Sequence, residues 1–144
     1  MIYTPKHFRI EEMVPESFFG AYRHRGPLLW MVFDQGLLIT ADALRDRYGK
    51  IEANTWLWGG QYQERGLRLW GTQTGAPLSQ HLFGRALDVA PQETTAEEIR
   101  QDIRKPSKWE AWKYIRRIEE GTSWLHFDTG NWTMESGIWW VKPS

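Results

Sequence analysis

At 144 residues the chain has the length of one domain built around one core. Its 18 basic and 18 acidic residues cancel, which argues against electrostatic capture of nucleic acid. It contains no cysteine, which excludes disulfides and thiolate metal sites and leaves the redox compartment open.

Pro5, Pro15, Gly20 and Gly26 punctuate the first 26 residues, which are expected to be irregular. Met1 to Lys6 lacks the apolar core of a signal peptide, and the longest apolar run, Pro27 to Phe33, is too short to span a bilayer. The expectation is a chain made in the cytoplasm that inserts in no membrane. Leu37, Ala41, Leu44 and Tyr48 recur at helical spacing and predict an amphipathic helix over 36–49, packed on a sheet. Gly49-Lys50 ends it, and 51–57 reads as a strand. Residues 59–78 are rich in Gly, Gln and Thr and read as a long loop, a feature often tied to function. Residues 87–90 read as a strand with Leu87 and Val89 on one face and Asp88 on the other. Thr94 and Glu97 stand at capping-box spacing before a polar helix that runs to Arg104. Lys105-Pro106 breaks it, and Ser107 and Glu110 form a second capping box before a helix bearing Trp109 and Trp112. Segments 114–119 and 122–129 predict a hairpin turning at Glu120-Gly121, and 138–141 a final edge strand. No repeat or linker divides the chain, so these elements make a single α+β domain over 1–144.

The stretch with most chemical content is Ser79-Gln80-His81-Leu82-Phe83-Gly84-Arg85-Ala86-Leu87-Asp88. Seven residues separate two side chains by about 10 Å along a helix, and by about twice that along a strand. Zinc holds its nitrogen and oxygen ligands at about 2.0–2.2 Å. His81 and Asp88 can therefore share one ion only if the chain turns between them, and Gly84 is the natural pivot. Hydrolytic zinc takes three protein ligands and leaves one position open. The third candidate is His126, in Ser123-Trp124-Leu125-His126-Phe127-Asp128-Thr129-Gly130. There Trp124, His126 and Asp128 share one strand face, with Leu125 and Phe127 on the other. His7 and His24 read as surface residues without a role.

Ser-x-His-x-x-Gly-x-Ala-x-Asp over 79–88, followed downstream by Trp-x-His, resembles the zinc D-Ala-D-Ala peptidase group, peptidase family M15. That group takes in D-Ala-D-Ala carboxypeptidases and dipeptidases, phage L-alanyl-D-glutamate endolysins and murein endopeptidases, and it shares its zinc site with the Hedgehog domain. The His-x-Asp-Thr-Gly around His126 is most similar to the murein endopeptidase branch. The resemblance covers 28–142 and implies an antiparallel sheet with helices packed on one face, of Hedgehog/D-Ala-D-Ala-peptidase type. It implies Zn2+ as cofactor, held by His81, Asp88 and His126. It also implies a peptidoglycan stem peptide as substrate and metal-assisted hydrolysis of an amide bond. Such a protein reaches the cell wall by release or by virion delivery.

The chain departs from that pattern at the base. Where many members carry a catalytic Glu three residues before the second His, this sequence has Ser123. The candidates are Glu119, on the His126 face if Glu120-Gly121 form the turn, Glu120 if the register slips by one, and Asp128. Asp128 serves equally as a group that orients His126. The departure leaves open a binding or phage structural module that keeps the fold without the activity. For substrate, the resemblance points to Arg68 in Gly66-Leu67-Arg68, with Arg65 and Arg85 nearby, because Arg binds carboxylates bidentately. Ser79 reads as a hydrogen-bonding support for the His81 loop. Ten tryptophans are mostly expected as core packing, and Trp124 is the candidate cleft wall because it shares a face with His126.

Overall fold

The computed structural model describes residues 1–105, 110–132 and 137–143. Three helices, α1 (Glu16–Tyr22), α2 (Gln35–Tyr48) and α3 (Ala96–Arg104), accompany five strands. These are β1 (Ile51–Glu52), β2 (Ala86–Pro91), β3 (Arg117–Glu119), β4 (Leu125–Asp128) and β5 (Trp139–Val141), in the sheet order β1-β2-β4-β3-β5. Among the described residues no single helix is long and apolar enough to cross a membrane.

The sheet is mixed, not antiparallel throughout. β1/β2, β2/β4 and β3/β4 pair antiparallel, whereas β3/β5 is parallel. The cause lies in where the chain turns. β4 ends with Asp128 beside Arg117, and β5 starts with Trp139 beside the same Arg117. A strand that starts there must run alongside β3 in the same direction.

Alternation along the strands builds the domain. Leu87 and Val89 of β2, Ile118 of β3 and Leu125 and Phe127 of β4 are fully buried on one face. Leu37, Leu38, Ala41 and Leu44 of α2 and Ile99 and Ile103 of α3 join the same cluster. The residues between them, Asp88, Arg117, Glu119, His126 and Asp128, lie on the opposite face of their strands.

Several elements differ from the sequence expectation. The first 26 residues are irregular only over 1–9. Ile10–Glu12 forms a 3-10 turn, Pro15 caps α1, and Phe8, Met13 and Val14 are core residues. Pro15 sits at the start of α1 and Gly20 and Gly26 at exposed positions, while Pro5 is buried, and the apolar residues between them set the structure. The 51–57 strand shrinks to two residues before a 3-10 turn at Trp56–Trp58. There Asn54 is drawn out of strand pairing, its side chain bonding Val14 O and Arg65 N. The helix of 36–49 forms, with Gly49 as its positive-φ cap. The α3 capping box is Thr95 with Glu98, one residue later than Thr94 with Glu97. Ser107 of the second capping box and Trp109 of the helix expected after it lie outside the described residues, and Glu110–Tyr114 is a 3-10 turn. His7 meets Asp46 of α2 at 2.7 Å, while His24 is exposed.

Candidate metal centre

His81 sits in a 3-10 turn, Gln80–Phe83, capped at its start by Ser79, whose Oγ accepts from His81 N at 3.3 Å. The turn ends at Gly84 in the left-handed conformation, φ 69°. A Cβ there would lie 1.8 Å from Val32 O, so position 84 needs glycine for both its backbone angle and its packing. The chain then enters β2 directly, which places Asp88 opposite His126 of β4.

The three side chains converge. His126 Nδ1 lies 2.8 Å from Asp88 Oδ1, and His81 Nε2 lies 3.4 Å from Asp88 Oδ2. The ligand atoms of His81, Asp88 and His126 all fall within 4.8 Å of one another. His81 and His126 are buried. Each imidazole is held at its far nitrogen. His81 Nδ1 bonds Gly66 O at 2.7 Å, and His126 Nε2 meets Asp128 Oδ2 at 3.0 Å. These outer partners fix ring orientation and tautomer, as they do around protein-bound metals.

The remaining nitrogen of His81 is the informative atom. With Nδ1–H donating to Gly66 O, Nε2 carries a lone pair, is buried and has no hydrogen-bond partner. It faces the Asp88 carboxylate. Two acceptors pointed at each other inside a protein are unfavourable unless a cation lies between them. Two imidazoles and a carboxylate are a donor set that suits zinc and leaves a position open.

The charges follow from burial and pairing. Burial lowers the His81 pKa more than Asp88 raises it, so the ring is neutral at pH 7. Burial would raise the Asp88 pKa, but the hydrogen bond from the charged His126 outweighs it and holds the carboxylate well below its usual range. Burial works against a charged His126, yet hydrogen bonds to Asp128 and Asp88 outweigh it and raise its pKa to about 9.

The sequence-derived candidates divide by position. Glu119 Oε1 lies 3.8 Å from His126 Nδ1 and lines a cavity of about 320 Å³ shared with His81, Asp88, His126 and Trp124. Glu120 turns away and pairs with Arg104 of α3. Asp128 is completely buried, with Oδ2 engaged by His126 and by Arg117 Nε at 2.8 Å. Arg68 is buried, donating to Asp88 Oδ2 at 3.2 Å and to Glu64 O at 2.8 Å. Arg65 stacks on Tyr62 and Arg85 lies over Phe83. Trp124 is 40% exposed on the loop just before β4.

That loop is wider than the sequence suggests. Arg117 pairs with Asp128 and Ile118 with Phe127, so residues 120–124 connect the strands in place of a two-residue turn. A residue that sequence reading missed holds it. Arg100 of α3 is buried and donates to Thr122 O at 2.8 Å, Trp124 O at 3.2 Å and Glu119 O at 3.5 Å. The signal was present: Ala96, Ile99, Arg100 and Ile103 follow the spacing of a buried helix stripe. An arginine on such a stripe needs buried acceptors.

Comparison of the chain with protein-family models, curated proteins and solved structures returns no match, so the chemistry of the centre rests on its own residues.

Proposed function

We propose that the protein is a zinc-dependent peptidase that hydrolyses an amide bond in the peptidoglycan stem peptide or cross-link. It is of the phage or prophage type and acts on the wall after release or virion delivery. The observation that carries this reading is the buried, unbonded His81 Nε2 aimed at Asp88. His81, Asp88 and His126 would hold the metal, as in the zinc D-Ala-D-Ala peptidases that the 79–88 motif resembles.

Bound zinc supplies Lewis-acid activation of a water and of the scissile carbonyl. The chain supplies the rest. Gly66 O and Asp128 orient the two histidines. Glu119, in the same cavity, takes the proton of the attacking water and returns it to the leaving amine. The buried Asp128 carboxylate acts as the orienting group, with Arg117 balancing its charge. Trp124 walls the cleft. Arg68, bonded to both Asp88 and Glu64 O, holds the Asp88 carboxylate in place.

Ser123, at the place where related peptidases carry their base, favours a second reading as a cell-wall-binding or phage structural module. Glu119 beside His126 favours hydrolysis. Metal analysis of protein grown with zinc, paired with mass spectrometry of muropeptides released from purified murein, separates the two. About one zinc per chain and newly cut stem peptides are expected, with both lost in His81→Ala. Zinc-loaded protein that is retained by murein but cuts nothing supports the module. Protein that takes up no zinc and cuts nothing overturns the peptidase reading.

A further inference from the structure

The metal cavity opens onto a second, larger groove of about 880 Å³, and Arg68, Asp88 and Trp124 line both. Its volume is that of a ligand site, not of a surface irregularity. Its walls include Gln61, Tyr62, Gln63, Thr74, Ser123 and Trp124.

The charges in this groove are engaged within the protein. Glu64 accepts from the hydroxyls of Thr72 and Thr74. Arg68 is bonded to Asp88 and Glu64 O, while Arg65 donates to Ala53 O and lies over Tyr62, 3.4 Å from its ring centre. What the groove presents is the Gln61 and Gln63 amides, the Ser17 and Ser123 hydroxyls, apolar Pro15, Leu69 and Ala90, and two aromatic side chains, Tyr62 and Trp124, that are 43% and 40% exposed. Aromatic rings bury apolar C–H surface while neighbouring amides satisfy hydroxyls. That combination suits a neutral, hydroxyl- and amide-bearing chain better than a charged peptide.

We propose that the groove is a saccharide subsite. It holds the N-acetylated glycan strand while the attached stem peptide crosses Trp124 and Arg68 into the metal cavity. The assignment rests on the peptidase reading for its substrate. It makes the site one for peptide still joined to glycan, because a free dipeptide leaves the groove empty.

The test needs neither metal nor catalysis. Metal-free protein is titrated with the tetramer of N-acetylglucosamine and followed by amide and indole NMR shifts. Shifts should centre on Gln61, Tyr62, Gln63 and Trp124. Tyr62→Ala, an exposed substitution, should weaken binding by about tenfold while zinc uptake stays at the parent level. Absence of groove shifts at millimolar sugar overturns the subsite, as does binding indifferent to Tyr62→Ala. Groove shifts from a sugar-free stem pentapeptide with none from the tetramer overturn it too. Sugar binding by a protein that cuts no murein keeps the subsite and removes the peptidase reading. Cutting without sugar binding does the reverse.

Discussion

Asp88 and His126 are joined twice, as cross-strand partners of β2 and β4 and through a 2.8 Å contact between Oδ1 and Nδ1. Sheet register thus sets ligand spacing. Neither residue can shift along its strand without carrying its apolar neighbours out of the core.

Asp128→Asn tests the outer support of the site. The amide keeps the shape but loses the charge that balances Arg117 and orients His126 Nε2–H. Zinc affinity should fall about 10–100-fold, measured by competition with a chelator. Unchanged affinity would show that Asp128 does not orient the ligand.

Glu119→Gln and Glu120→Gln form a matched pair. Glu119→Gln should retain zinc and lower kcat on murein by about 10²–10⁴-fold. Glu120→Gln should leave activity intact and cost about 0–1 kcal/mol from the half-exposed pair with Arg104. The opposite ranking would move the base to position 120.

The metal-free protein should lose stability in alkali. The His126 pKa is raised to about 9 in the folded state, above the ordinary 6.5. Its contribution is therefore complete below 6.5 and lost as pH rises through 9. Asp88 has the opposite sign. Its depressed pKa stabilises above the ordinary 3.8, and that contribution is lost as pH falls through its folded value. Tm should decline on the alkaline side in the apo form. Zinc bound at His126, as proposed, would displace its proton, so the apparent affinity should rise by about tenfold per pH unit below 9. A flat affinity profile, read by calorimetry in buffers of different ionisation heat, would contradict displacement of that proton.

Gly84→Ala should destabilise the fold by more than about 1 kcal/mol through backbone strain alone. The contact of its Cβ with Val32 O adds to that. Because Gly84 sets the turn between His81 and Asp88, zinc uptake should fall with Tm in the same variant. A normal Tm would mean that the backbone relaxes around the methyl group.

The site was more legible in the sequence than the scaffold around it. Strand alternation placed Asp88 opposite Leu87 and Val89 in facing, and His126 opposite Leu125 and Phe127, and both placements hold. Gly84 was recognisable as a pivot because no regular element brings residues seven apart to one ion. The hairpin turn was misjudged, yet Glu119 still falls on the His126 face. The register expected from a turn at 120–121 and the observed one differ by an even number of residues, which preserves facing. The N-terminal helix was hidden because Pro15 and Gly20 read as breakers, whereas proline at the helix start is compatible with α1. The parallel β3/β5 pairing was out of reach, since it depends on where the chain leaves β4. The Gly66 carbonyl behind His81 was equally invisible, because a backbone acceptor leaves no mark in side-chain identity.

Arg100 grips the loop after β3 by three carbonyl oxygens and by none of its side chains. Such a clamp is indifferent to residue type. Thr122 adds its own hydroxyl bond to Trp124 O, but the identity at 123 is free to drift while the path of the loop stays constant, so the rim of the cleft can be rewritten without rebuilding its frame. Position 123 can thus exchange a carboxylate for a hydroxyl and leave His81, Asp88 and His126 where they are.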